Sequence, residues 1–207
     1  MRVGRALPLI VAGVVLVVAT LVVATRSRPA ADFAVPAPAS APSTSTSTPI
    51  PAPTVSRETA PVRLRIAALD LNATVDAVGV DPRTGDFAVP PSVDRVGWYK
   101  FGPGFAATAG SIVIAGHVDS AAQGEGAFFG LGELRPGDVV TLTGPGGGRE
   151  RVFEVTARQR YRKTAIPLDR YFARDGEVRL TLITCGGPFD AETRHYRDNV
   201  VVTAVPA

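Results

Sequence analysis

The stretch Val178-Arg-Leu-Thr-Leu-Ile-Thr-Cys185 alternates its side chains with a period of two and then runs into Gly186-Gly187-Pro188. That periodicity predicts a β-strand with one buried face, and the Gly/Pro cluster predicts the loop that follows it. The same texture extends outward in both directions. Upstream, Arg63–Ala67, Thr74–Val78, Ser111–Ala115, Asp138–Thr143 and Arg151–Thr156 are short, rich in β-branched residues and separated by Gly, Pro and Asp. Downstream, Asn199–Thr203 provides a closing strand. No long amphipathic helix interrupts the series; one-to-two-turn pieces fit around Ala127–Gly132 and Leu168–Ala173. Seven or eight short strands at this spacing predict an all-β barrel or sandwich over residues 62–207.

Residues 1–61 have a different composition. Ala6–Thr25 is an uncharged apolar run flanked by Arg2 and Arg5 before it and by Arg26 and Arg28 after it. Its length matches the roughly 20 residues a helix needs to cross a bilayer. The alternative is a cleaved signal peptide, whose apolar part is ordinarily ~7–15 residues. On length, residues 1–28 are expected to form an uncleaved membrane anchor. Residues 29–61 are dominated by Pro, Ala, Ser and Thr, including Ser43-Thr-Ser-Thr-Ser-Thr48. Such a segment buries too little apolar surface to offset its chain entropy, which predicts an extended or disordered linker. An apolar helix followed by this linker places the β domain outside the cytoplasm, at the cell membrane.

Composition narrows the chemistry. The chain has 207 residues, a net charge of +3, one cysteine and two histidines. The arginines are interspersed with acids and form no block, which argues against nucleic acid as a partner. One cysteine excludes an intramolecular disulfide and a multi-thiolate zinc site; with two histidines, no metal and no cofactor is expected.

Cys185 stands where the predicted strand meets its loop, a position from which a side chain on a rigid element can face a groove. A lone thiol is more often a buried structural residue. Outside the cytoplasm, however, an unpaired cysteine is exposed to oxidation, so its presence there favours a reactive role. A nucleophilic cysteine needs a base and a cationic neighbour to favour thiolate. His117 and His195 are the candidate bases; Arg194 and Arg197 are nearby candidate cations. Spacing alone does not choose within either pair.

Thr181-Leu-Ile-Thr-Cys185 matches the TLxTC signature of sortases, the membrane-anchored transpeptidases of Gram-positive bacteria. Ala115-Gly-His-Val-Asp119 resembles that family's histidine motif, and Tyr196-Arg-Asp-Asn-Val-Val-Val202 resembles its arginine-bearing strand. The order and spacing of all three fit, and the resemblance covers essentially residues 62–207. Val96-Gly-Trp-Tyr99, Gly126-Ala-Phe-Phe-Gly130 and Thr184-Cys-Gly-Gly-Pro188 look most like the actinobacterial class E and class F branches. The resemblance implies an eight-stranded barrel with short helices, with Cys185 as nucleophile, His117 as acid/base and Arg197 as the third catalytic member. It also implies a thioester acyl-enzyme, LPxTG-like sorting signals as substrates, and an amine acceptor on peptidoglycan precursor or pilin.

The loop expected at residues 158–177 corresponds to the family's signal-contacting loop. Ile166, Pro167 and Leu168 are candidates for an apolar wall against substrate, and Ala115 and Thr184 flank the catalytic residues. Two other activities fit the same residues: a thiol hydrolase that uses water as acceptor, and a non-catalytic wall- or pilus-binding module on the same scaffold.

Overall fold

The structure is a computed structural model that describes residues 32–34, 59–83 and 85–207. The strands are β1 (Phe33–Ala34), β2 (Arg63–Ile66), β3 (Leu71–Val78), β4 (Val96–Tyr99), β5 (Ser111–Gly116), β6 (Asp119–Ser120), β7 (Gly124–Glu125), β8 (Val139–Thr143), β9 (Glu150–Arg162), β10 (Arg179–Asp190) and β11 (His195–Pro206). Helical elements are short: 3₁₀ turns that include Phe129–Glu133, and a single α-turn, α1 (Leu168–Tyr171). The main sheet runs β1-β9-β11-β10-β5-β4-β3-β2-β8, and β8 pairs back onto β9. That last pairing closes an eight-stranded barrel, to which β1 is appended. Closure removes free edges from the sheet, which otherwise recruit other chains. The expected all-β barrel is the observed architecture. β6 and β7 form a separate hairpin beside it.

Alternation along the strands builds the core. Leu64 and Ile66 of β2, Ile112 and Ile114 of β5, Val140 and Leu142 of β8, and Leu180 and Leu182 of β10 all point inward around Trp98, Phe128 and Phe153. The Trp98 indole N–H, buried with the ring, donates to the Pro103 carbonyl at 2.9 Å. At full burial each of these aliphatic side chains contributes roughly 1.5–3 kcal/mol of transfer free energy.

The structure departs from several sequence expectations: where a loop was expected after Cys185, β10 runs on through Gly186-Gly187-Pro188 to Asp190, with a register shift between Gly186 and Phe189. The strand expected at Arg151–Thr156 is much longer, because β9 continues to Arg162. The loop expected from residue 158 therefore begins only after Arg162. Arg158 disguises the strand: its side chain is 2% exposed, yet its guanidinium donates to the Leu134 carbonyl at 2.6 Å and lies over the Phe33 ring. An arginine so satisfied reads as a surface charge in the sequence and as core in the fold. β4 was not anticipated as a strand. It pairs in parallel with β3 and antiparallel with β5.

Within residues 29–61, expected to be extended or disordered, two short pieces have ordered places. Phe33 and Ala34 pair with Arg158 and Ala157 on the part of β9 that β8 leaves unpaired. The Asp32 carboxylate accepts from the Arg160 backbone N–H at 3.1 Å. At the other end, the Thr59 carbonyl accepts from the Phe105 N–H at 2.7 Å. The expected anchor at Ala6–Thr25 lies outside the described residues, among which no helix is long and apolar enough to cross a membrane.

Candidate active site

β10 and β5 run side by side in parallel, with Leu180 opposite Ile112 and Ile183 opposite Ala115. The paired register ends there, and Cys185 and His117 each lie two residues further along their own chains. The two threonines of the β10 signature hold these strands together. The Thr181 hydroxyl meets that of Ser111 at 2.7 Å, both buried. The Thr184 hydroxyl donates to the Gly116 carbonyl at 2.9 Å. Thr184 is thus a fixed strut one residue before the cysteine.

Leu180 and Leu182 face the core, so Ile183 and Cys185 face the opposite side of β10. A groove of about 730 Å³ opens on that side. Ala115, Ile183, Thr184, Cys185 and Asn199 form its floor, and Asn199 is the residue paired across from Cys185 on β11. Val80, Phe87, Val89 and Tyr99 line one side, and Ile166, Leu168 and Phe172 the other. The two sides touch: the Phe172 ring packs edge-on against Phe87 and Tyr99, with centroids 6.1 and 5.1 Å apart. Asp86 and Lys163 are the charged side chains of the lining apart from the ionisable Cys185 and His195. The size and largely apolar lining suit an extended peptide segment with few charges. Of the substrate-wall candidates, Ala115, Thr184, Ile166 and Leu168 line the groove, while Pro167 does not.

α1 is anchored from beneath. The buried Tyr171 hydroxyl and the Tyr161 hydroxyl both reach the Gln159 side-chain oxygen on β9, at 2.8 and 2.9 Å. Burial, with the Tyr161 contact added, pushes the Tyr171 phenol well above its ordinary pKa. The groove wall that carries Leu168 and Phe172 is therefore pinned to the barrel.

Cys185 is partly accessible and unpaired. The His117 Nε2 lies 2.8 Å from the Pro90 carbonyl oxygen. Arg197 extends along β11 and donates from Nε and Nη2 to the Asp190 carboxylate at 3.2 and 3.0 Å. Backbone N–H groups of Thr193 and Glu192 also bind that carboxylate, and with Arg197 they hold its pKa below the ordinary value. Nη1 of Arg197 has no partner among the described residues. Neither His117 nor Arg197 lines the groove itself, whereas His195 does. The sequence placed His195 in an exposed loop; it is exposed, but it begins β11 and pairs with Asp190.

Two residues adjoining the catalytic candidates escaped the sequence reading. The Tyr196 hydroxyl donates to the Asp119 carboxylate, tying β11 to the turn that follows His117. That bond raises the Tyr196 phenol above its ordinary pKa, burial adds to the shift, and the Asp119 and Cys185 charges act in the same direction. Asp119 closes the Ala115–Asp119 motif and Tyr196 precedes Arg197, so adjacency in the motifs was the available signal. Among the described residues no three His, Cys, Asp or Glu side chains converge as a metal site requires.

Known structures share this barrel. Sortase A from Corynebacterium diphtheriae matches in a lid mutant (20% identity, TM-score 0.52, 70% of this chain and 68% of that one). A second structure of the same enzyme matches at 19% identity and TM-score 0.53, over 73% of this chain and 62% of that one, just under two thirds of its length. Sortase C-1 from Actinomyces oris matches at 18% identity and TM-score 0.51, over 70% and 72% of the two chains. Among curated protein sequences none matches significantly. The sequence signature of the sortase domain matches residues 64–207, well over half of the chain. This protein belongs to the sortase family.

Proposed function

We propose that the protein is a cysteine transpeptidase that cleaves an LPxTG-like sorting signal between Thr and Gly and transfers the upstream protein to an amine. The observation that carries this reading is the placement of Cys185. It lines a largely apolar groove one residue past the Thr184 strut on β10, which ties that strand to β5, the strand that leads into His117.

The signal lies along the groove with its apolar residues against Ile166, Leu168 and Phe172. The Cys185 sulfur attacks the threonine carbonyl carbon, and negative charge develops on the carbonyl oxygen. Arg197, cationic at any relevant pH, supplies a donor to that oxygen. His117 gives a proton to the departing glycine nitrogen as the C–N bond breaks, leaving a thioester. An incoming amine then attacks the thioester, His117 takes its proton, and the C–S bond breaks to restore the thiol. The acceptor is an amine of a peptidoglycan precursor or a pilin. The class E or class F assignment, the anchor formed by residues 1–28 and the extracytoplasmic location at the cell membrane belong to the same proposal.

Mass spectrometry of the full-length chain incubated with LPxTG-like peptides tests it. A Cys185 acyl adduct that converts to an amide product when amines are added is expected. Release to the acid at a rate no amine changes indicates the thiol hydrolase instead, and absence of any adduct removes the mechanism. The presence of His195 on the groove lining favours one variation, in which it replaces His117 as base. Loss of adduct turnover in His117→Ala with retention in His195→Ala supports His117; the reverse selects His195.

A further inference from the structure

We infer that the Pro90 carbonyl, held in place by Gln123, fixes His117 in the tautomer protonated at Nε2 and leaves Nδ1 as its basic nitrogen. This rests on the proposed function only for its catalytic meaning. A carbonyl oxygen can only accept a hydrogen bond, so the His117 nitrogen 2.8 Å from it must carry the proton. In the neutral ring the other nitrogen then holds the lone pair. A buried backbone carbonyl thus takes the orienting place that a carboxylate occupies in many catalytic triads.

The acceptor is rigid for reasons visible in the chain. Pro90 has its own φ locked by its ring, and Pro91 restricts the residue before it. Pro90 is buried, and the segment is stitched to the turn that follows His117. The Gln123 side-chain amide donates to the Pro91 carbonyl at 3.2 Å and accepts from the Val93 N–H at 3.3 Å. The Ala127 N–H donates to the Val93 carbonyl at 2.7 Å, and the Phe128 N–H to that of His117 at 3.0 Å. Gly126 permits this approach, since a Cβ there would lie 2.3 Å from the His117 carbonyl oxygen. The ring and its acceptor are therefore carried on two segments that Gln123 bridges. Gln123 is a positioning residue: it is not part of the groove lining, and it acts on His117 through the segment that carries the Pro90 carbonyl.

The test is the ring ¹⁵N spectrum of His117 in the full-length chain, labelled at histidine and recorded without substrate at a pH where the ring is neutral. His195→Gln identifies the His117 signals, since the chain has two histidines. Wild type should give the pattern of an Nε2–H ring. Gln123→Ala should give averaged signals from both tautomers, with peptide turnover reduced roughly three- to tenfold in kcat and little change in KM. Gln123→Glu, which keeps the acceptor for Val93 but not the donor to Pro91, should fall between them. An Nδ1–H pattern in wild type overturns the inference, as does a Gln123→Ala spectrum identical to wild type. Because the ring is read in the resting protein, this outcome is independent of whether the chain proves to be a transpeptidase.

Discussion

Thr181 and Thr184, three residues apart on β10, do different work on opposite faces of one strand. Thr181 shares a buried hydroxyl contact with Ser111, and Thr184 satisfies the Gly116 carbonyl. Thr184→Val keeps the shape and removes the donor to the buried Gly116 carbonyl. Chemical denaturation should register a loss of about 1–3 kcal/mol, with turnover falling as well, because the strut ties β10 to β5 one residue before Cys185 and His117 on their chains. Arg197 and Asp190 yield a pH expectation. The Thr193 N–H, Arg197 and the Glu192 N–H all favour the Asp190 carboxylate, whose folded-state pKa is thereby depressed. The pair is fully formed above the ordinary carboxylate value of 3.8 and is lost only as pH falls through the lower folded value. An NMR titration of the Asp190 carboxyl should show a midpoint below 3.8; one at or above it contradicts the arrangement. Arg197 itself is 57% exposed in its side chain, so little global stability rides on this pair. At this scale the sequence was readable for identities: Cys185, His117 and Arg197 were nominated from motif and chemistry. It could not show that Arg197 rests on Asp190, or that His195 reaches the groove, because both follow from the pairing register of a hairpin.

The β10–β11 hairpin is the element that carries most of the candidate chemistry. Cys185 faces Asn199, Gly186 faces Asp198, and a register shift separates them from the Phe189–Tyr196 pair. Gly187 occupies that irregularity with φ +74°, and a Cβ there would meet the Asp198 carboxylate at 2.2 Å. Gly187→Ala is expected to cost at least about 1–2 kcal/mol from backbone conformation alone, with further loss from the contact. It should also cut adduct formation at Cys185, and thermal unfolding together with peptide-labelling rates would measure both. Alternating elements such as Val178–Thr184 were legible because burial of one face imposes period two. β9 was legible only in its first half, since from Arg158 onward its residues are Arg, Gln and Tyr. Their polarity is accommodated by the Leu134 carbonyl, the Phe33 ring and the Tyr161–Gln159–Tyr171 contacts, all of them tertiary.

At the scale of the whole molecule, β9 is the strand on which the barrel closes. It pairs with β8 near its start, with β11 along its later length, and with β1 where β8 has ended. Phe33 packs on the core and under the Arg158 guanidinium, 4.9 Å from its ring centroid. Phe33→Ala should lower the unfolding free energy by about 1–2 kcal/mol, combining partial burial with a cation–π contact. A denaturation midpoint unchanged from wild type would mean β1 contributes nothing. The all-β class was legible from strand count and punctuation. Closure and the seat of β1 were not, because they depend on which distant edges meet. The seating of Phe33 on β9, together with that of Thr59 on Phe105, has a mechanical consequence. Residues 35–58 are fastened to one body at both ends, so they close a loop on the barrel, and lengthening that loop costs only the slowly growing entropy of closing it. Doubling that segment with Gly-Ser repeats should therefore lower the unfolding free energy by only about 0.6 kcal/mol, as read by chemical denaturation, whereas a loss several times larger would mean that the segment does more than close the loop.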